Sequence, residues 1–349
     1  MKAVIHIGAK KTGTTTIQGF LAHNREELRK QGIFYPTCDE HVKSRYLQSR
    51  WGEYRREIEA NCGKDDLVIF SDENLSLSHS YKVWLLKKLT GSLFDDVVVI
   101  LYLRRQPEFM VSLYNTGVRS GNKKSFAECL DDPKRKTRLA YHSIVKCWQI
   151  FGKDKLRIRV FDKEEFHDKD LLSDFAHTVG FDTAGLERVK DANISLDSAL
   201  TEFLRLLNAH VPVRLALGKP NPLHRMVRCA MESAGGCGAG VRTNQKAYQL
   251  DRNEAQRILD QFRNGNDWIA REHLGREKLF NEDVSMYPEE VADPHHLTLE
   301  RSVEISAQIL KCFVSLNQAD IDKLPSKSKG LAKIWRDINK TFRRMFGVK

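Results

Sequence analysis

Four short apolar runs, each bounded by polar residues, stand out in the first half of the chain. They are AVIHI at 3–7, LVIF at 67–70, VVVILYL at 97–103 and LRIRVF at 156–161. Short runs rich in valine and isoleucine, separated by stretches of helical character, are typical of buried strands. The pattern therefore predicts an α/β fold in which a mostly parallel sheet is flanked by crossover helices.

Apolar residues at helical spacing follow the first predicted strand. Ile17, Leu21 and Leu28 recur at intervals that place them on one face of a helix. Gly32 comes directly after this pattern and is a typical helix stop. We therefore predict one helix over 14–31.

Later segments also have helical periodicity. Such patterns cover 164–181, 198–211 and 251–274, and we expect the last of these to break near Gly265. At 331–349 the apolar residues share one helical face, and lysine and arginine cover most of the other. This C-terminal pattern is typical of a helix that docks at a membrane surface or packs on its own core.

The 349 residues carry a formal net charge of +11, and such a surface attracts nucleic acids, acidic lipids, polyanionic glycans or phosphorylated small molecules. No basic stripe is interleaved with aromatic residues, so we do not expect a nucleic acid as partner. The seven cysteines are scattered without a CxxC pair, which indicates thiols in a reducing compartment. Because the sequence has neither a signal-peptide pattern nor a membrane-spanning apolar stretch, we expect a cytoplasmic protein.

The first predicted strand leads into Gly8-Ala-Lys-Lys-Thr-Gly13-Thr-Thr-Thr, which nearly matches the P-loop pattern G-x4-G-K-[ST]. The glycine spacing is correct, but Thr14 stands where a P-loop has lysine, and Lys11 lies inside the loop. A glycine loop between a strand and a helix directs backbone N–H groups and the helix dipole at an anion. The hydroxyls of Thr14 and Thr15 and the ammonium of Lys11 add further donors. These features predict a P-loop-like fold that binds a tetrahedral oxyanion.

A second candidate anion site follows the apolar run at 97–103. Arg104 and Arg105 stand at the predicted carboxyl end of this strand, where ligands of α/β sheets bind. Pro107 suits the first turn of a helix, and Ser112 lies farther along that helix. Arg104 and Ser112 can therefore converge on one further phosphate.

Together these two stretches resemble the sulfotransferases that use 3′-phosphoadenosine 5′-phosphosulfate (PAPS). The family signature K-x-G-T-T, which binds the 5′-phosphosulfate there, matches Lys11-Thr12-Gly13-Thr14-Thr15. A second signature, a strand followed by R-x7-S, holds the 3′-phosphate in that family and matches Arg104 and Ser112. The resemblance covers 3–31 and 97–121. It implies PAPS as donor, 3′,5′-adenosine bisphosphate as product and no requirement for a metal.

The stretch DLVIFSDENLS at 66–76 is similar to the S-x-E element of glycan-modifying members, whose carboxylate activates the acceptor. This similarity implies that Glu73 is the catalytic base. Asp72 and His6 are competing bases, and Glu73 also suits the acidic start of a helix. Both interpretations of Glu73, catalytic base and helix cap, stay open at this point.

The resemblance to bacterial, glycan-modifying sulfotransferases implies transfer of a sulfuryl group to a hydroxyl of a carbohydrate or glycolipid. Residues 1–295 would form the α/β domain, with 190–250 as an acceptor-side insertion and 296–349 as a helical extension. For 331–349, peripheral contact with the inner face of the membrane and docking on the protein's own core both stay open.

Two parts of the family pattern have no clear match. Many members place an aromatic residue after the paired threonines to stack on adenine, whereas this chain has Thr16 there. The glycine-containing basic loop that covers the cofactor has only weak candidates, Lys327-Ser328-Lys329-Gly330 or Arg242 with Lys246. The residues that contact adenine and close over the donor are therefore not assigned.

Two other functions fit parts of the sequence. A nucleotide-dependent kinase with a degenerate P-loop would lack the lysine at the position of Thr14 and would leave Arg104 and Ser112 without a role. A non-catalytic basic protein that binds nucleic acid or glycan is consistent with the net charge of +11. Binding of a 3′,5′-bisphosphate nucleotide rather than ATP separates the sulfotransferase from the kinase.

Overall fold

The structure, a computed structural model, describes residues 1–37, 47–188, 198–215, 250–291 and 297–315, with 218–221, 223–225, 227–228 and 231 between them. Two predictions lie outside this part of the chain. They are the C-terminal pattern at 331–349 and the candidates for the loop that covers the cofactor, Arg242, Lys246 and 327–330. Within the described residues, no helix is both long and apolar enough to cross a membrane.

The fold is α/β, with one five-stranded sheet in the order β2-β3-β1-β4-β5 and all neighbouring strands parallel. The strands are β1 (Lys2–His6), β2 (Ile33–Phe34), β3 (Leu67–Ser71), β4 (Asp96–Leu103) and β5 (Leu156–Val160). Each of the four apolar runs forms a strand whose ends lie within one residue of the prediction. The sequence pattern did not predict β2, because its two residues are too few to show a periodicity.

Helices connect and extend the sheet. In chain order they are α1 (Thr14–His23), α2 (Arg25–Lys30), α3 (Trp51–Asn61), α4 (Ser80–Gly91), α5 (Gln106–Arg119), α6 (Phe126–Leu130), α7 (Pro133–Leu139), α8 (Tyr141–Trp148), α9 (Leu171–Val179), α10 (Ser198–His210), α11 (Arg252–Ile269) and α12 (Leu299–Ser315). A π-helical turn, Ala270–Leu274, continues α11. Pro107 lies in the first turn of α5, as the sequence predicts.

The predicted single helix over 14–31 is wrong, because the chain forms two helices that meet at Asn24. The side chain of Asn24 is buried and donates to the carbonyls of Phe20, at 2.8 Å, and Glu187, at 2.9 Å. The Asn24 Oδ1 accepts the Glu187 N–H at 2.8 Å. These contacts join Asn24 to a distant segment and hold it out of regular helical conformation.

The predicted break at Gly265 is also wrong, since α11 continues through this glycine. A Cβ atom at Gly265 would lie 3.0 Å from the Cβ of His142 on α8. The glycine therefore lets two helices approach closely, and tertiary packing overrides its low helix propensity.

Apolar side chains cover both faces of the sheet. On one face, α1, α2 and α9 pack against Val4, Ile69 and Tyr102, and the packed helix residues include Phe20 and Phe175. On the other face, Phe70 of β3 meets aromatic rings, with ring centroids 6.2 Å from Trp51 and 5.6 Å from Tyr54, both on α3. Burial on both faces explains why the strands read as continuous apolar runs.

A buried polar network ties β4, β5 and α9 together. Asp174 on α9 is fully buried and accepts the hydroxyl of Tyr102 at 2.7 Å. Arg159 on β5 forms an ion pair with the same carboxylate, and the His167 N–H donates to it at 2.9 Å. Burial, followed by the neighbouring charge of Asp174, raises the pKa of Tyr102, so its phenol stays protonated as the donor.

The chain divides into two compact units. The first comprises Met1–Met110, Asp131–Asp191 and Arg252–Met286, and it contains the whole sheet. The second comprises Val111–Leu130, Ala192–Asp251 and Tyr287–Lys349. The predicted boundaries at 190–250 and 295 stay predictions.

Within the second unit, Asn208 on α10 fixes the end of α5. Its buried Nδ2 donates to the carbonyls of Val118, at 2.8 Å, and Asn122, at 3.0 Å. The Nε2 of His224 lies 2.9 Å from the Asn208 Oδ1. The helix predicted over 198–211 is confirmed as α10, Ser198–His210.

Candidate functional site

The candidate site lies at the carboxyl edge of the sheet, where the strand order reverses. The connection after β1 leads to β2 on one side of the sheet, and the connection after β4 leads to β5 on the other. Ligands of open α/β sheets bind at such a point. The parallel register pairs His6, the last residue of β1, with Ser71 of β3 and Ile100 of β4. The segments that follow these three strands are therefore neighbours.

The loop between β1 and α1 is held against β4 by main-chain hydrogen bonds. The Ala9 N–H donates to the Tyr102 carbonyl at 2.8 Å, and the Tyr102 N–H donates to the Gly8 carbonyl at 2.7 Å. Positive φ angles of 90° at Gly8, 65° at Lys11 and 71° at Gly13 turn the chain sharply over this edge. The loop therefore has a defined shape rather than that of a flexible glycine turn.

Two hydroxyls of the loop, one of them the predicted donor Thr14, hydrogen-bond within the loop itself. Thr12 is fully buried and donates its hydroxyl to the Ala9 carbonyl at 2.6 Å. Thr14 is 5% exposed and donates to the same carbonyl at 3.3 Å, a long contact. Thr15 is exposed. The Thr15 hydroxyl is the one of the three that faces solvent.

The first turn of α1 has no side-chain cap, because its N-cap residue is Gly13. The N–H groups of such a turn lack partners within the helix and bind anions readily. A Cβ atom at Gly13 would overlap the Cδ2 of Leu171 and lie 3.4 Å from the Phe161 ring. The close packing of Leu171 and the positive φ angle both require glycine here.

Arg104 comes directly after β4, and its side chain contacts the loop between β1 and α1. Its Nη1 donates to the Lys11 carbonyl at 3.1 Å, and its guanidinium carbon lies 5.5 Å from the centre of the Phe161 ring. The buried hydroxyl of Tyr141 donates to the Arg104 carbonyl at 2.6 Å. The structure thus brings Arg104 and the loop, two elements far apart in the chain, into direct contact.

The neighbouring Arg105 has a different environment. It is largely buried and pairs with Glu108 at 2.6 Å. It also donates to the carbonyls of Asn281 and Asp283, both at 2.7 Å. Arg105 therefore anchors the segment after α11. Of the two arginines, Arg104 is the one that contacts the loop between β1 and α1.

Ser112 lies in the second turn of α5 and is half-buried. Its carbonyl accepts the Thr116 hydroxyl at 3.0 Å. Ser112 and Arg104 fall in different compact units of the chain. Their convergence on one phosphate stays a prediction.

Glu73 follows β3 and touches the loop from the other side. A Cβ atom at Gly8 would lie 3.0 Å from the Glu73 Cβ and 3.1 Å from its Cα, so the two segments are in van der Waals contact. Gln18 on α1 donates its amide to Glu73 Oε2 at 3.2 Å and to the Ser71 carbonyl at 3.0 Å. This amide holds the half-buried carboxylate at the sheet edge beside the loop.

The two competing bases have structural partners. Asp72 Oδ1 accepts the Asn74 N–H at 2.9 Å and the Asn74 side-chain amide at 3.0 Å, which fixes the turn after β3. His6 is fully buried, with its Nδ1 2.8 Å from the Ser71 hydroxyl. Burial lowers the pKa of His6 to about 3, so the ring is neutral at pH 7 and sealed from solvent. Of the three candidates, Glu73 is the one whose Cα and Cβ are in van der Waals contact with Gly8 of the loop, and its role as a base stays a prediction.

Two residues of this edge were not identified from the sequence, Gln18 and Phe161. Gln18 follows Thr14 by four positions, so it lies on the helix face above the loop, a signal that helical spacing could have provided. Phe161 comes directly after β5, but nothing local indicates that Arg104 lies on its ring. Contacts of this kind depend on tertiary structure.

The donor set fits an anionic cofactor. The loop offers the uncapped N–H groups of α1, the exposed Thr15 hydroxyl and the side chain of Lys11, and Arg104 adds a guanidinium. All these groups are hydrogen-bond donors, which suits phosphate and sulfate oxygens. Glu73 supplies an acceptor at the opposite side of the loop.

A cavity of about 770 Å³ lies elsewhere, along β5 at the edge of the sheet. Three of its charged side chains are engaged with one another or with the backbone. Lys153 pairs with Glu272 at 2.6 Å, and Arg157 donates to the Thr178 carbonyl. This cavity does not include the loop, so the candidate site remains at the carboxyl edge.

Comparison with known proteins gives weak similarities. No family model matches the chain. An uncharacterized protein of Archaeoglobus fulgidus is 26% identical over 211 residues, which are 59% of this chain and 54% of that protein, so the chain spans about half of this relative. A sulfotransferase from Alicyclobacillus acidocaldarius, known from its crystal structure, aligns with 58% of this chain and 93% of its own, at 18% identity and a TM-score of 0.36.

Proposed function

We propose that this protein is a PAPS-dependent sulfotransferase that transfers a sulfuryl group to a hydroxyl of a carbohydrate or glycolipid. The main support for this function is the hydrogen bond of Arg104 to the Lys11 carbonyl, beside the uncapped start of α1. It brings a residue of each sequence signature into contact at one edge of the sheet. A nucleotide with anionic groups at its 5′ and 3′ positions needs two such elements, whereas ATP needs only the loop.

In this proposal the loop binds the 5′ side of the donor. The N–H groups of Thr14 and Thr15 and the Thr15 hydroxyl donate to phosphate oxygens at the start of α1. The ammonium of Lys11 adds positive charge where the departing phosphate becomes more negative. Arg104 and Ser112 would hold the 3′-phosphate, and no metal is part of the proposal.

When bound, PAPS supplies an activated sulfuryl group. Sulfuryl transfer resembles phosphoryl transfer, because the acceptor oxygen and the leaving oxygen must lie in line. Glu73 accepts the proton of the acceptor hydroxyl on a carboxylate oxygen, and Gln18 orients this carboxylate through Oε2. The contact of Glu73 with Gly8 keeps the base beside the donor-binding loop.

The acceptor class rests on the resemblance to glycan-modifying enzymes, and the net charge of +11 is consistent with an acidic glycan or lipid. Peripheral membrane contact through 331–349 and a position at the inner face of the membrane belong to the same proposal. The amphipathic pattern of those residues supports membrane contact, and the inner face follows from the expected cytoplasmic location.

Isothermal titration with 3′,5′-adenosine bisphosphate and with ATP tests the donor site. We expect ATP to bind at least about tenfold more weakly, because a charged hydrogen bond to the 3′-phosphate contributes about 1.5–3 kcal/mol. Arg104→Ala should remove most of this difference. Arg55→Ala, which replaces a half-exposed arginine on α3, is the matched control and should preserve it.

Transfer of labelled sulfate from PAPS to a panel of sugars, glycolipids and phenols tests the activity. Glu73→Gln should lower transfer about 10²–10⁴-fold without changing the affinity for the bisphosphate. Glu59→Gln, on the surface of α3, should do neither. Stronger binding of ATP than of the bisphosphate would favour a kinase, and bisphosphate binding without transfer to any acceptor would favour a non-catalytic binding protein.

A further inference from the structure

Helix α4 has an apolar stripe that faces solvent. Tyr81 is 64% exposed, Trp84 49% and Leu85 38%, and their spacing puts them on one helical face. Ile150 lies in a short 3₁₀ turn, Gln149–Phe151, that contacts α4, and it is 37% exposed. The opposite face of α4 supplies the buried residues Val83, Leu86 and Thr90 to the core. The stripe is thus additional to the face that packs α4 on the sheet.

Lysines accompany the aromatic rings of this stripe. The ammonium of Lys88 lies 5.1 Å from the centre of the Trp84 ring, and that of Lys82 lies 6.0 Å from the Tyr81 ring. Lys87 extends to the Ile150 carbonyl at 2.5 Å. The sequence of α4, SYKVWLLKKLTG, contains these three lysines and no acidic residue. Helix α4 therefore combines exposed aromatic and aliphatic side chains with lysines and contributes no acidic side chain of its own.

The stripe also has a defined place relative to the candidate site. Helix α4 runs from the carboxyl end of β3 back to the amino end of β4, because the two strands are parallel members of one sheet. Its first turn, which contains Tyr81, therefore lies toward the carboxyl edge of the sheet. The loop and Glu73 lie at that same edge.

We propose that the stripe formed by Tyr81, Trp84, Leu85 and Ile150 docks the protein on an anionic lipid surface. Tryptophan and tyrosine prefer the interface between lipid headgroups and acyl chains, where the ring is buried and its polar atom stays hydrated. Lysines next to such rings bind anionic headgroups and keep their ammonium groups in water.

Charge favours a lipid surface over a second copy of the chain. Two copies of α4 packed face to face would bring six lysines together, since each copy has three and no acid. Like charges that are brought together across an interface are destabilising. An anionic bilayer offers the opposite charge over the whole stripe. This inference does not depend on the proposed sulfotransferase activity.

Co-sedimentation of the full chain with vesicles tests the proposal. One set of vesicles contains phosphatidylcholine alone. The other also contains about 30% of the anionic lipid phosphatidylglycerol. We expect binding to the anionic vesicles only. Tyr81→Ser with Trp84→Ser should weaken this binding by roughly tenfold or more, because the apolar area of the rings is lost.

Two further variants complete the design. Lys82→Gln with Lys88→Gln should weaken binding to anionic vesicles by about fivefold per lysine. This factor corresponds to about 1 kcal/mol for each lysine near an anionic surface. Met286→Ser with Leu299→Ser removes side chains that are 58% and 82% exposed outside α4, and should leave binding unchanged. Thermal unfolding of each variant checks that it is folded.

Three results would overturn the proposal. Equal binding to both kinds of vesicle would exclude the role of charge, and full binding by the Tyr81 and Trp84 variant would assign docking to another surface, such as 331–349. A dimer in sedimentation velocity that is lost in the same variant would assign the stripe to a second copy of the chain.

Discussion

Gln18 connects two segments of the site that are distant in sequence. Its side-chain amide reaches the Ser71 carbonyl and Glu73 Oε2, so α1 fixes the turn after β3. Glu73 does not cap a regular α-helix, because the residues after it form only a short 3₁₀ turn, Leu75–Leu77. The carboxylate is therefore free of the capping role that the sequence allowed.

Gln18→Ala should lower kcat for sulfate transfer by about tenfold or more, because a hydrogen bond to a charged group is worth about 1.5–3 kcal/mol. The affinity for 3′,5′-adenosine bisphosphate should change less than about twofold, since Gln18 contacts the base and not the anion-binding groups. Gln256→Ala, which removes a surface contact of α11, is the control. An equal loss of bisphosphate affinity would contradict a positioning role for Gln18.

His6 makes stability depend on pH. Burial lowers its pKa to about 3 in the folded state, whereas an unfolded histidine has a pKa near 6.5. Below pH 6.5 the unfolded chain therefore binds a proton that the folded chain does not. The contribution of neutral His6 to stability is complete above pH 6.5 and is lost as the pH falls toward 3.

Urea unfolding at pH 7 and pH 5 tests this prediction. The free energy of unfolding of the wild-type protein should fall by about 2 kcal/mol more over this interval than that of His6→Gln, because the slope per histidine is about 1.4 kcal/mol per pH unit. The difference between the two proteins cancels the contributions of the carboxylates. Parallel pH dependences would show that the ring of His6 is accessible to protons.

At the scale of elements, a glycine within a helix is required for packing in one helix and not in another. Gly265 lets α11 approach α8, with its missing Cβ 3.0 Å from that of His142, whereas a Cβ at Gly19 on α1 would have no neighbour within 4 Å. The sequence does not distinguish the two positions, because both lie within helical patterns. Packing of neighbouring elements decides which glycine is required.

Gly265→Ala should destabilise the protein by about 1 kcal/mol or more, because the added methyl group must displace α8 and this outweighs the gain in helix propensity. Gly19→Ala should stabilise it by up to about 1 kcal/mol. Chemical denaturation measures both free energies of unfolding. A stabilising effect of Gly265→Ala would mean that the two helices are not in contact at this point.

At the scale of the whole molecule, a ligand that binds only the folded protein raises its stability by mass action. The compact unit Met1–Met110, Asp131–Asp191 and Arg252–Met286 contains Lys11, Glu73 and Arg104. A ligand of the proposed donor site should therefore stabilise this unit. Its melting can be separate from that of the other unit, so one melting temperature need not describe the chain.

In scanning calorimetry, 3′,5′-adenosine bisphosphate at about 100 times its dissociation constant should stabilise the folded state by about 2.7 kcal/mol. This corresponds to a rise in Tm of about 5 °C or more for a unit of this size. The same concentration of ATP should give a smaller rise, and Arg104→Ala should abolish the difference. Equal shifts with both nucleotides would contradict a site for the 3′-phosphate.

The sequence by itself determined the strands and the loop. A strand buried on both faces must be apolar along its whole length, so four of the five strands in the described part of the chain could be recognised locally. The turn from β1 into α1 needs glycine for its positive φ angles, and Gly8 and Gly13 are visible in the chain. Such constraints act between residues that are close in sequence.

Only the tertiary structure decided which side chains meet. The contacts of Arg104 with the Lys11 carbonyl, of Gln18 with Glu73 and of Glu73 with Gly8 join segments that follow different strands. The break at Asn24 and the continuity of α11 through Gly265 were decided in the same way. Strand order and register depend on hydrogen bonds and packing between distant segments, and strands that are apolar along their whole length carry no alternating pattern that indicates them.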